Sequence, residues 1–134
     1  MSTKIPKIKL SNGVEFPLFG LGTWETFHNA DATKLIPALE AALDAGYRHF
    51  DTAQAYGNEQ IIGEFFDEKI KSGKIKRSDI FLTTKLAPLF HHPDGTEQVI
   101  QKSLENLKTD YIDLFLIHMP FGFEPIFADN SSVR

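Results

Sequence analysis

The chain of 134 residues has no cysteine, one tryptophan and two methionines. Without cysteine there is no disulfide framework, no thiolate nucleophile and no cysteine-ligated zinc or iron–sulfur site. Such a composition suits a reducing compartment, and a cytoplasmic location is expected. A surplus of positive charge is missing too. Fourteen Lys and Arg stand against 18 Asp and Glu, a net charge of -4, so no nucleic-acid or anionic-membrane partner is expected. No run approaches the roughly 20 apolar residues of a membrane span. Met1 to Lys9 is basic but lacks the apolar stretch and cleavage site of a secretory signal. Asn130-Ser131-Ser132 matches a glycosylation triplet, a pattern frequent by chance and unused in the cytosol.

What the chain does have is material for a core. Twelve Phe and an apolar fraction of 42% exclude disordered and collagen-like classes. A chain this long makes one domain and buries roughly two-thirds of its unfolded surface.

Its rhythm alternates. Lys7–Leu10 and Val14–Phe16 are β-prone runs around Ser11-Asn12-Gly13, a hairpin signal. Residues 17–22 read as a short apolar strand running out in glycine. Asp31 can cap a helix through Ala45 whose inward face is Leu35, Ile36, Leu39, Ala42 and Leu43, with Gly46 as the left-handed terminator. Tyr47–Phe50 is the next strand. A helix from about Asn58 to Lys71 follows, with Ile61, Ile62, Phe65, Phe66 and Ile70 at helical spacing and Gly73 ending it. Ile80–Thr84 is the third strand. Its helix spans Thr96–Leu107, with Val99, Ile100, Leu104 and Leu107 inward. Tyr111–Ile117 is the fourth strand, and 118–134 reads as loop.

Strand and helix repeat about every 30 residues, the mark of parallel βαβ units. An open doubly wound sheet and a (β/α) barrel both have that rhythm. A nucleotide-binding open sheet usually carries Gly-x-Gly-x-x-Gly after its first strand. Gly20-Leu21-Gly22-Thr23-Trp24-Glu25 lacks the third glycine and does not lead straight into a helix. The barrel is favoured.

Three ionisable residues stand directly after apolar runs: Asp51, Lys85 and His118. In a parallel barrel the C-terminal strand ends share one rim, where active sites of that fold assemble. The three should converge, and Tyr56, five residues past Asp51, can lean over the same rim. Taken singly, each has a structural reading: a surface ion pair, a structural His, a packed Tyr. Jointly they form a carboxylate, an ammonium, an imidazole and a phenol around one point. His28, His91 and His92 have no partner pattern and read as solvated loop residues. No metal site is expected.

The stretch Gly46-Tyr-Arg-His-Phe-Asp51-Thr-Ala-Gln-Ala-Tyr56-Gly-Asn-Glu59 resembles the signature segment of the aldo-keto reductases. Gly20-Leu-Gly-Thr-Trp24, Thr83-Thr-Lys85-Leu and Tyr111-Ile-Asp-Leu-Phe-Leu-Ile-His118 are similar to further segments of that family, in the same order. The resemblance implies a (β/α)8 TIM barrel and reversible reduction of aldehydes and ketones to alcohols with NADPH. It makes Tyr56 the proton donor, Lys85 the charge that favours the phenolate of a group otherwise titrating near pH 10, Asp51 the partner of Lys85, and His118 the group that orients the carbonyl. It places Gly22, Thr23, Trp24 and Asp51 near the nicotinamide and its ribose. Trp24, His118 and Phe123 would line the substrate pocket. Met119 stands where many members carry tryptophan, which would loosen that pocket. Steroid double-bond reductases carry Glu at the His118 position, so that branch is disfavoured.

Arithmetic bounds the reading. A (β/α)8 barrel takes around 250 residues, and the pattern shows four strands. Residues 1–134 are therefore expected to form the N-terminal half of the barrel, a partial and truncated reductase domain with its catalytic residues present and its cofactor site incomplete. The full-length form is expected to be monomeric, whereas the half-barrel would self-associate through exposed strand edges. The alternative is an inactive isoform or regulatory subunit pairing with a full-length relative. A barrel aldolase using Lys85 as a Schiff base is a weaker third reading.

Overall fold

The computed structural model describes residues 5–24 and 31–123. Two strands form an antiparallel hairpin, β1 (Lys7–Lys9) and β2 (Glu15–Pro17). It is closed by Ser11, Asn12 and Gly13, with Gly13 at φ +88 and Asn12 Oδ1 accepting from Val14 N at 3.1 Å. The rest is a single parallel sheet, β3 (Gly20–Gly22), β4 (His49–Asp51), β5 (Phe81–Leu86) and β6 (Leu114–Ile117). Between successive strands lie α1 (Ala32–Asp44), α2 (Glu59–Lys71) and α3 (Pro93–Leu107). The strands lie in the order β3-β4-β5-β6, which is also their chain order. A doubly wound sheet reverses direction at a switch point; this one never does, as in a barrel wall.

Side-chain alternation sorts the strand residues onto two faces. Phe50 and Leu82 turn toward the helices and join Leu35, Leu39 and Leu43 of α1, Ile62, Phe65 and Phe66 of α2 and Leu107 of α3 in the main core. His49, Asp51, Phe81, Thr83 and Lys85 turn to the inner face. The hairpin covers the lower end of that face, where the Phe16 ring meets His49 at 4.9 Å and Phe81 at 5.2 Å. Among the described residues no helix is long and apolar enough to cross a membrane.

The expected elements are present, with shifted bounds. Asp31 caps α1, accepting from Thr33 N at 3.0 Å, and Gly46 and Gly73 take positive φ after α1 and α2. Ile36 is exposed rather than inward, because it lies about 100° round the helix from Leu35. The expected strand at 17–22 shrinks to Gly20–Gly22. Pro17 belongs to the hairpin, and Leu18 and Phe19 are exposed. The third helix begins at Pro93, three residues early, since the His92 ring accepts from Gly95 N at 3.1 Å and Pro93 fills the first helical position. His92 is thus a cap, not merely solvated. His91 is half-buried, with Nε2 unpartnered among the described residues. The fourth strand starts only at Leu114, because residues 111–113 are held by Arg77: its guanidinium donates to Tyr111 O and Asp113 Oδ2, each at 2.8 Å. His28, the Asn130 triplet and the tail beyond 123 lie outside the described residues.

Candidate active site

Asp51 ends β4 and Lys85 lies near the end of β5, on the inner face. After Asp51 the chain makes a short 3-10 turn, Gln54–Tyr56, and reverses at Gly57, whose φ of +67 favours glycine. That reversal throws Tyr56 back over the strand ends, where it is buried. His118 follows β6, its amide donating to Leu86 O at 3.1 Å.

Lys85 is the hub. Its ammonium donates to Asp51 Oδ1 at 2.7 Å, Thr52 O at 2.9 Å and the Tyr56 hydroxyl oxygen at 3.0 Å. An ammonium has three protons and no acceptor capacity, so all three are used. The phenol oxygen must be the acceptor in its pair, which leaves its own proton available to a third group. The ring of His118 stands edge-on to Tyr56 at 5.5 Å, and that of Trp24 does so at 4.9 Å. Burial holds the His118 pKa below its usual 6.5, and the positive charge of Lys85 adds to this against an opposing pull from Asp51. The imidazole is therefore neutral at neutral pH.

The four expected groups thus meet, though not as a single hydrogen-bonded chain. The other expected residues are placed as follows. Gly22 pairs with Asp51 in register, and the space where its side chain would start is open to 4 Å. Thr23 is buried, and its amide and hydroxyl donate to Asp51 O at 3.1 and 3.0 Å. Trp24 is half exposed. Phe123 is 57% exposed; its amide donates to Pro88 O at 3.0 Å and its ring meets Phe121 at 5.5 Å, so its described contacts are with the β5–α3 connection and its own loop rather than with Tyr56.

Three participants were not read from sequence. Thr52 supplies its carbonyl to Lys85, which no side-chain motif reveals. Asn58 is fully buried and bridges Thr52 Oγ1 (2.6 Å) and Thr23 O (3.0 Å). Glu59, also buried, accepts from Thr84 Oγ1 at 2.7 Å and Asn106 Nδ2 at 3.4 Å. An Asn and a Glu opening a helix look like ordinary capping and dipole complements, which hides their reach into the strands. A concavity of about 670 Å³ lies between α2 and α3 near Arg77 and Asp110, by the N-terminal ends of β5 and β6, and holds none of these groups. No cluster of three His, Asp or Glu suited to a metal occurs among the described residues.

Known proteins share this arrangement of sequence. The chain is 43% identical over 120 residues to an NAD(P)H-dependent D-xylose reductase of Candida tropicalis, covering 90% of this chain and 36% of the relative. It is 44% identical over 125 residues to aldo-keto reductase family 1 member A1 of Gallus gallus, covering 92% and 37%. The chain thus spans little more than a third of the length of these curated relatives. Among solved structures, a Bombyx mori aldo-keto reductase in complex with NADP superposes with a TM-score of 0.83 at 37% identity, over 92% of this chain and 41% of that one. An aldo-keto reductase complexed with NADPH gives 0.81 at 42% identity, over 87% and 37%. The sheet order is that of a barrel wall, and the part of these barrels that it matches is less than half. Residues 18–129 also match the profile of the Aldo/keto reductase family, and with that the chain belongs to the aldo/keto reductases.

Proposed function

We propose that residues 1–134 supply the carbonyl-activating part of an NADPH-dependent reductase that converts aldehydes or ketones into alcohols. The observation that carries this reading is the Lys85 ammonium fixed on the phenol oxygen of Tyr56. Tyr56 gives its free proton to the substrate oxygen, and Lys85 stabilises the negative charge left on the phenol oxygen. Asp51 balances Lys85 and keeps the ammonium aimed. His118, neutral near neutrality, offers a ring N–H to the same substrate oxygen and fixes the carbonyl's orientation. NADPH, when bound, supplies the hydride that completes the reduction at carbon.

The residues fit the nicotinamide end of that cofactor. Beside Asp51 the open strand end at Gly22 leaves room for a flat ring, and the half-exposed Trp24 offers an aromatic surface next to Tyr56. Thr23 serves by fixing Asp51. Trp24, His118 and Phe123 are the proposed pocket wall for a small carbonyl substrate, and a cytoplasmic setting suits the cysteine-free composition. The named cofactors of the relatives support the same assignment. Because the match covers only about a third of each relative, the 134 residues alone are expected to turn over little, and full activity is assigned to an assembly or polypeptide that completes the barrel.

Titration with NADPH while following Trp24 fluorescence tests the cofactor reading. Saturable quenching at micromolar NADPH is expected if the missing contacts are supplied, and no response up to millimolar would confine activity to a longer polypeptide. In whichever form reduces a nitrobenzaldehyde, Tyr56→Phe should keep the fold and lower kcat by about 100-fold or more. Retained turnover would remove Tyr56 from the proton-donor role.

One observation favours a second reading, in which this chain works by association. Among the described residues β3 and β6 each pair on one side only, and Ile117 of β6 is 71% exposed. Parallel pairing of β6 with β3 of a second copy would join four strands to four.

A further inference from the structure

Asn58 stands where helix capping would use it. It directly precedes α2, and asparagine is favoured there because its side-chain oxygen accepts from a first-turn amide. The side chain makes no such bond. It is fully buried and turned toward the strands, with Oδ1 accepting from Thr52 Oγ1 at 2.6 Å and Nδ2 donating to Thr23 O at 3.0 Å. A carboxamide whose donor and acceptor serve different strand ends cannot be replaced by Asp, which lacks the donor, or by an apolar residue, which lacks both.

The partners of Asn58 lead to the ammonium. Thr23 N and Oγ1 both donate to Asp51 O, and Asp51 is covalently joined to Thr52. A closed ring therefore runs from Asn58 through Thr23, Asp51 and Thr52 back to Asn58. Two of the three acceptors of Lys85, the Asp51 carboxylate and the Thr52 carbonyl, belong to residues of this ring. The third, Tyr56, lies two residues before Asn58 and is joined to it through Gly57. Thr23 leads directly into Trp24.

We propose that Asn58 is a positioning residue that holds the acceptors of the Lys85 ammonium, and through them the ammonium–phenol pair. Its meaning for catalysis rests on the reductase reading; its geometry does not. The described side-chain hydrogen bonds of Asn58 go to Thr52 and Thr23, so its action on the ammonium passes through Asp51 and Thr52. Loss of the ring frees the Thr52 carbonyl to rotate away and weakens the fixation of the ammonium, while the apolar packing of α2 stays in place.

Exchange of the Lys85 ammonium protons with solvent, read from nitrogen-correlated NMR of the full chain, tests this directly. Asn58→Ala should speed that exchange about tenfold, the scale set by one lost hydrogen bond to a charged group. Thr52→Val breaks the same ring from β4's side and should speed it in the same direction. Ile62→Val trims a buried side chain of α2 away from the ring and should lower stability without changing the exchange. If Asn58→Ala fails to fold, Thr52→Val alone decides. Unchanged exchange in the folded ring variants, or an equal change in Ile62→Val, would overturn the proposal. Failure of the reductase reading shows separately, as turnover of a nitrobenzaldehyde retained in Tyr56→Phe while the Lys85 protons of the unsubstituted chain stay protected.

Discussion

Lys85 organises its neighbours by charge as well as by hydrogen bonds, and His118 reports that field. Burial is the first cause of the lowered His118 pKa and the Lys85 charge the second, with Asp51 opposing. Lys85→Met removes the second cause and leaves the opposing carboxylate unpaired. His118 is then expected to titrate at higher pH than in the unsubstituted chain, as followed by imidazole NMR shifts; an identical titration would uncouple the two groups. His49 reports on stability instead. Its pKa is lowered chiefly by burial, against opposing contributions that include the Pro17 backbone and Asp51, and its ring bonds to Thr83 Oγ1 at 2.9 Å. Below the unfolded value of about 6.5 the unfolded chain binds more protons than the folded one, so stability falls as pH drops through that range toward the folded pKa. The urea midpoint should therefore decline from about pH 7 to about pH 5, less steeply in His49→Gln. A midpoint independent of pH over that range would remove His49 from the acid response. Asp51, Lys85 and His118 were legible because each follows an apolar run. Thr52 was not, because it contributes a carbonyl that every residue type possesses.

The helices were legible from their apolar stripes, but the place where two of them touch was not. Gly63 lies buried within α2 and adds no side chain to its apolar stripe. In the structure a Cβ there would lie 2.1 Å from Asn106 O and 2.7 Å from the Leu107 backbone, so α2 and α3 cross at this point. Both obstacles are backbone, and the helices must separate to admit a methyl. Gly63→Ala is expected to cost about 3 kcal/mol, the upper end for overpacking, measured as a lowered urea midpoint. A neutral result would place the α2–α3 contact elsewhere. Pro37 shows the opposite override: α1 runs through it although an interior proline forfeits a helical bond. Burial of Leu35, Leu39 and Leu43 along one face holds the helix regardless. The early start of α3 escaped because histidine is not a preferred cap, although Pro93 marked the first helical position.

At the scale of the molecule the sheet has two unpaired sides among the described residues. Leu116 and Ile117 sit on the last strand, exposed by 39% and 71%, and their hydrogen-bonding edge faces outward. Strand edges of that kind pair with other chains unless blocked, and lysine is a common block. Sedimentation of the 134-residue chain is expected to show concentration-dependent association that Ile117→Lys diminishes. Association equal in both, or a monomer throughout, would turn the edge pairing down. The relatives are matched over little more than a third of their length, so the same edges are those along which the remainder of a barrel would continue.

Order and type of the elements followed from the sequence, because hydrophobic periodicity, Asp31, Gly46 and Gly73 act locally and the chain's own backbone geometry enforces them. The approach of Asp51, Tyr56, Lys85 and His118 was also foreseeable, since parallel strands bring their C-terminal ends to one rim. Tertiary structure alone decided how the groups are bonded. Asn58 forgoes its local helix cap to join Thr23 and Thr52, and Glu59 reaches across to Thr84. A polar side chain satisfies its hydrogen bonds with whichever partner burial leaves beside it, and that choice is made only when strands distant in sequence have come together.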